Sequence, residues 1–178
     1  SQLLFVFRVD SQFFKGIAKL RAARQLWARI LQSCGVSDDK ATMQVQVKPS
    51  KRAWTKRDPW VNLLRNTAVC FVGAVSGADI VTPVSFDSLH GHESDLGRRI
   101  ARNTSLILQD ESHLHKVADP AGGAWFLEQW TSELVQRGWA FFQQLENVGG
   151  IAKALESGWL HEQLAEVQAE RQRKLARR

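Results

Sequence analysis

The stretch VQVKPSKRAW, residues 45–54, reads as the end of a β-strand followed by a loop. Val45 and Val47 share one face, Gln46 and Lys48 share the other, and Pro49, Ser50, Lys51 and Arg52 then break the alternation. In proteins built from alternating strands and helices, the loop at a strand's carboxyl end is where active sites collect. This basic loop therefore either carries chemistry or marks the place where chemistry is missing.

Upstream, LLFVFRV (3–9) is a nearly continuous apolar run of the kind found in buried parallel strands. Asp10-Ser11 is suited to cap a following helix, in which Phe13, Ile17, Leu20, Trp27 and Ile30 recur at helical spacing. A loop at 34–41 leads to the second strand, MQVQV (43–47). Downstream, Asp58-Pro59 reads as N-cap and first turn of an apolar helix, WVNLLRNTAVCFVGAV, closed by Ser76-Gly77. ADIVTPVSF (78–86) is the expected third strand. A helix from about Asp95 to Glu111 precedes a weak fourth strand, HKVAD (115–119), and a PAGG turn. Leu127, Trp130, Leu134, Phe141 and Leu145 stripe a long helix that Gly149-Gly150 ends, and a further helical segment covers about 151–175. The order predicts an α/β fold: a parallel βα repeat of about four units, half the eight of a TIM barrel, with a C-terminal helical tail.

The 178 residues are 44% hydrophobic and 24% charged, an ordinary globular composition. Two cysteines, Cys34 and Cys70, make no disulfide framework and fit a reducing compartment. The start, SQLLFVFRVD, has no signal-peptide pattern, and the apolar run at 67–86 is interrupted by Asp79 and Pro83, so neither secretion nor a membrane span is expected. The net charge of +6 owes much to the end, ERQRKLARR. No zinc-finger, helix-turn-helix or aromatic-basic RNA-binding signature accompanies it, so nucleic acid is not the expected partner.

Two His-x-His pairs, His90/His92 and His113/His115, suggest a metal site, but a helix of about 17 residues separates them by roughly 25 Å. One ion cannot take both pairs, and either alone is short of a closed zinc site. Asp110, Glu111 and Asp119 are explained by helix ends and turns. No glycine-rich phosphate fingerprint follows a strand, and no G-x-S-x-G elbow is present.

Three segments together resemble the methylmalonyl-CoA mutase family. RRIARNTSLILQDESHLHKVADPAGGAWFLEQWTSEL (98–134) is similar to the end of that family's barrel domain. FFKGIAKLRAARQLWARI (13–30) and RDPWVNLLRNT (57–67) resemble earlier helices, in the family's order and near its spacing. The resemblance covers residues 3 to about 160. It implies a TIM barrel threaded by the CoA tail of the substrate, capped by a separate cobalamin domain, with this chain as the second half of the barrel from its fifth strand. Residues 1–150 would be the half barrel and 151–178 a helical extension.

The resemblance also bears on the basic loop. Catalytic members carry a stretch like R-T-H-S-Q-T-S-G-W-S there. This chain has Gln44, Gln46 and Lys48 at the Arg, His and Gln positions, and keeps Ser50. On the seventh strand, where catalytic members carry Q-S-L-H-T-N, it reads Ile80-Val81-Thr82-Pro83-Val84-Ser85. The D-x-H-x-x-G motif whose His ligates cobalt is absent. These departures resemble the non-catalytic small (beta) subunit of heterodimeric members. The resemblance therefore implies an isomerase-family chain that is inactive alone, with no catalytic, cofactor or metal residues of its own. Adenosylcobalamin is the family's cofactor and is not expected to bind here.

The expected role is scaffold or assembly. The expected partners are a second copy, a catalytic mutase subunit or the missing N-terminal half barrel, with strands 3–9 and 115–119 as exposed edges. One alternative is a CoA-ester-binding fragment of an active mutase, with Lys48, Ser50, Lys51 and Arg52 holding CoA phosphates. Another is a polyanion-binding module built on the basic end. The expected location is the cytoplasm, or the mitochondrial matrix in a eukaryote.

Overall fold

A computed structural model describes residues 3–177 and divides into two compact units, one ending at Val135 and one beginning at Gln136. The first unit opens with β1 (Leu4–Val9), α1 (Phe13–Ser33), β2 (Gln44–Pro49), α2 (Val61–Val75) and β3 (Ile80–Val81). The strands form one parallel sheet in the order β1-β2-β3, with Leu4 opposite Gln44, Arg8 opposite Lys48 and Gln46 opposite Ile80. This is the alternating α/β class expected from the sequence.

The period-2 pattern decides which face is buried. Val9, Val45 and Val47 are buried, with Phe5 and Phe7 packed against them. They form the core with Ile17 and Leu20 of α1 and Val69, Val72 and Val75 of α2. The opposite face is open: Leu4, Val6 and Ile80 are 44%, 50% and 44% exposed. An all-parallel sheet normally has both faces covered, so this one presents apolar side chains without a second layer. Gly16 lets α1 approach closely, since a Cβ there would lie 2.9 Å from methyl carbons of both Val9 and Val72.

Arg24 fastens the amino ends of the strands. Its guanidinium donates to the carbonyls of Met43 and Gly77, both at 2.5 Å, and pairs with Asp79 at 2.9 Å. Asp79 also accepts from the Val45 N–H at 2.7 Å. Burial alone would raise the Asp79 pKa, but the Val45 and Arg24 bonds outweigh it and hold the carboxyl below its usual range.

Several expectations are corrected. The helix of residues 13–33 has Gln12 at its N-cap, without a side-chain bond; the Asp10 carboxylate instead accepts from the Gln12 N–H. Asp58 likewise accepts from the Trp60 N–H ahead of α2, in a turn that precedes the helix proper. Only Ile80–Val81 of the third stretch pairs as strand. Thr82 still donates to the Val47 carbonyl, but Pro83 has no N–H and the Val84 N–H turns to Asn66. Residues 115–119 are not a strand. His113 is left-handed (φ 52°), Leu114–Lys116 is a 3-10 turn, and His115 Nδ1 bonds the Gln109 carbonyl. Asp119 is held instead by Arg21 at 2.7 Å, and the same guanidinium reaches Glu128 at 2.6 Å. The edge pairing expected between 3–9 and 115–119 of two copies therefore loses one of its strands.

Helix α3 (Asp95–Asp110) begins where expected, with Ser94 as N-cap accepting from the Gly97 N–H. Helix α4 (Trp125–Asn147) starts in the first unit and runs on into the second. In the second unit, Gly149 and Gly150 take positive φ and end α4. The expected last helix is two, α5 (Gly150–Glu156) and α6 (Trp159–Ala176), broken at left-handed Gly158. Phe141 and Trp159 pack ring to ring at 5.6 Å, and Ala154 is fully buried. Among the described residues no helix is long and apolar enough to cross a membrane.

Candidate functional site

The carboxyl ends of β1 and β2 bring two cations side by side. The parallel register sets Arg8 beside Lys48, and alternation puts both on the open face. The Ser50 N–H extends the ladder to the Val9 carbonyl at 2.7 Å, and Arg8 Nη1 donates to the Pro49 carbonyl at 3.1 Å. The chain then enters a 3-10 turn, Lys51–Ala53.

The loops after β2 and β3 are braced by asparagines one turn apart on α2. Asn62 is fully buried. Its amide donates to the carbonyls of Thr55 and Phe86, both at 2.9 Å, and its oxygen accepts from the Thr55 N–H at 3.1 Å. Asn66 accepts from the Val84 N–H at 3.1 Å. Between the strands, Gln46 Nε2 donates to Thr82 Oγ1 at 2.7 Å. Farther along, Asp87 accepts from the Ser85 hydroxyl and from the Ser94 N–H. Burial would raise the Asp87 pKa, but these bonds prevail and lower it.

This loop delivers α3 with Arg98 and Arg102 on one face. Arg98 donates to the Glu93 carbonyl at 2.8 Å and pairs with Asp95. A cleft of ≈ 670 Å³ lies between the strand ends and α3, lined by Arg8, Lys48, Arg98 and Arg102, with Glu93 and Ser105 also on its wall. Ser105 Oγ is buried and has no hydrogen-bond partner.

Of the residues expected to hold phosphates, Lys48 lines this cleft. Ser50, Lys51 and Arg52 stand beyond it, the two cations exposed on the 3-10 turn. His90, His92, His113 and His115 are all exposed, and His113 and His115 stack ring edge to ring at 6.5 Å. Among the described residues no three His, Cys, Asp or Glu side chains gather in a way that could hold a metal ion. Cys70 is buried, which pushes its thiol up to about 12, so it is a core side chain and not a nucleophile. Arg8, Arg98, Arg102 and the two bracing asparagines were not picked out from the sequence. The available signals were the i, i+4 spacing of each helical pair and the polarity of Asn62 and Asn66 in an otherwise apolar helix.

Residues 1–178 match the profile of the methylmalonyl-CoA mutase family. The chain is 48% identical over 178 residues to a methylmalonyl-CoA mutase small subunit of Streptomyces virginiae, covering all of this chain and 29% of that protein. It is 42% identical over 182 residues to a probable methylmalonyl-CoA mutase small subunit of Mycobacterium tuberculosis, covering 99% of this chain and 29% of that protein. The Escherichia coli methylmalonyl-CoA mutase is 33% identical over 172 residues, 96% of this chain and 24% of that protein. The chain thus spans less than a third of the length of these relatives. With a family match along its whole length and near-half identity to a small subunit, the chain belongs to the methylmalonyl-CoA mutase family.

Proposed function

We propose that this chain is a segment of a mutase small subunit that contributes structure and assembly, and no chemistry of its own. The observation that carries the reading is what stands at the carboxyl ends of the strands. The position where the resemblance places a catalytic histidine is Gln46, and its amide is used as a cross-strand brace to Thr82. Lys48 stands where a glutamine would, beside Arg8, and none of the chain's imidazoles lines the cleft. An amide has no titrating proton at neutral pH, so Gln46 cannot take the part of a catalytic histidine.

The residues present do not fit cobalamin. The resemblance gives the cobalt ligand as an imidazole in a D-x-H-x-x-G motif, and this cleft offers guanidinium, ammonium and hydroxyl groups and one carboxylate instead. We assign cofactor and turnover to a catalytic partner subunit. The exposed apolar sheet face of Leu4, Val6 and Ile80 is the surface for the rest of the barrel, or for a second copy. Two unpaired thiols suit a reducing compartment, the cytoplasm or, in a eukaryote, the mitochondrial matrix.

One experiment with two readouts tests this. The full chain mixed with adenosylcobalamin and methylmalonyl-CoA is expected to give no succinyl-CoA above blank, and turnover would overturn the reading. At micromolar concentration it is expected to sediment as a species heavier than one chain. A monodisperse monomer would remove the assembly role.

A second reading is favoured by the position of Lys48 on the cleft wall and of Lys51 and Arg52 on the exposed turn beside Ser50. In it, this loop holds the phosphates of an acyl-CoA. Binding of CoA to the full chain is then expected to weaken about tenfold in Lys51→Met/Arg52→Met. Unchanged affinity, or no binding by the parent chain, rejects it.

A further inference from the structure

The cleft contains two like-charged pairs; Arg8 and Arg98 each spend one N–H on a nearby backbone carbonyl, of Pro49 and Glu93, which leaves the repulsion within each pair uncompensated. Arg8 and Lys48 are direct neighbours across a parallel ladder, where like charges repel. Arg98 and Arg102 are one turn apart on α3, again an unfavourable spacing for equal charges. The two pairs come from different elements and face one cavity, with Glu93 the one carboxylate among the described residues that line it. Arg98 is partly engaged by Asp95, but that carboxylate is 97% exposed, and surface pairs of this kind hold weakly.

Ser105 adds an independent sign. The residue lines this cleft and also a second cavity beside Cys70, and its hydroxyl, shielded from solvent, has no hydrogen-bond partner, which is uncommon for a buried hydroxyl. A cavity of ≈ 670 Å³ lies within the range that holds small organic ligands.

We propose that this cleft binds a small molecule carrying two oxyanion groups. One group sits between Arg8 and Lys48, the other between Arg98 and Arg102, with Ser105 on the wall of the cleft. Charge-assisted bonds to planar guanidinium groups suit carboxylate and phosphate alike. Nothing in the assignment depends on the scaffold reading; it shares Lys48 with the loop reading, and Lys51 and Arg52, which lie outside the cleft, tell the two apart.

The test is calorimetric titration of the full chain at low salt with inorganic pyrophosphate, with glutarate, and with acetate as a one-charge control. One saturable site is expected for pyrophosphate or glutarate, at least about tenfold tighter than acetate. The tighter of the two identifies the site as a phosphate or a carboxylate receptor. Lys48→Gln/Arg102→Gln, which takes one cation from each pair, is expected to weaken that binding about tenfold or more while circular dichroism is unchanged. Lys51→Met/Arg52→Met is expected to leave it as it was. If the double variant does not fold, Arg102→Gln alone, at an exposed helix position, is expected to weaken binding severalfold. No saturation, acetate binding as tightly as the dianions, a loop variant that weakens binding equally, or cleft variants with unchanged affinity would each overturn the proposal.

Discussion

Asn62→Ala is expected to lower the unfolding free energy by about 3 kcal/mol, read as a fall in the urea midpoint at constant slope. The side chain makes three hydrogen bonds to backbone from a fully buried position, and among the described residues the groups it satisfies have no other hydrogen-bond partner. Truncation strands the Thr55 carbonyl and N–H and the Phe86 carbonyl, and each stranded buried group costs of order 1–3 kcal/mol before local relaxation. The same change frees the loops after β2 and β3 together, because Thr55 lies in one and Phe86 in the other. Leu64→Ala, two residues along the same helix and 73% exposed, serves as the control and should move the midpoint little. A loss below about 1 kcal/mol for Asn62→Ala would mean that water reaches these groups.

Leu20→Ala is expected to cost about 3 kcal/mol as well, through a different mechanism. Leu20 is 1% exposed in the cluster where α1 meets the strands and α2. Removing its branched end loses the transfer free energy of three carbons and leaves a cavity. The surrounding Val9, Val45 and Val72 are β-branched and stiff at χ1, so they cannot swing in to fill it. Leu20→Met preserves volume and should cost less than about 1.5 kcal/mol. Equal losses for the two variants would show that shape, and not volume, governs the position.

What could be read from the sequence follows from where local pattern decides structure. The strand at 44–49 and the flanking helices obeyed their apolar periods, because the sheet face packed on α1 and α2 has no choice of register. The start of α3 was read at about Asp95, and the structure adds the local cap bond from Ser94 that fixes it there. The third strand was legible in place but not in length, since only Ile80–Val81 of the expected 78–86 pairs, and the fourth was not legible. Their hydrophobicity resembled strand, yet a strand needs a neighbour, and Pro83 stops β3 after two residues. The 115–119 segment turns onto Arg21 and Gln109 instead. The candidate site shows the same division. Lys48 was visible as a cation at a strand end, whereas Arg8, Arg98 and Arg102 acquire meaning from the register and from the route of the 82–94 loop. Neither is written in any short window of sequence.

The central position of β2 has a kinetic consequence. Each of its pairings is to a strand separated by a whole helix, and the Gln46–Thr82 bond joins residues 36 apart in the chain. No hairpin can seed such a sheet, so closure entropy is spent before any ladder bond forms. Among the described elements, β1, α1 and β2 leave the ribosome before β3 and can already bury a shared face. With only two residues, β3 would then add as a late and reversible step. The nucleus of folding would lie in the contact of Phe7, Val9, Ile17 and Val47, and the β3 end would open and close many times within the lifetime of the rest.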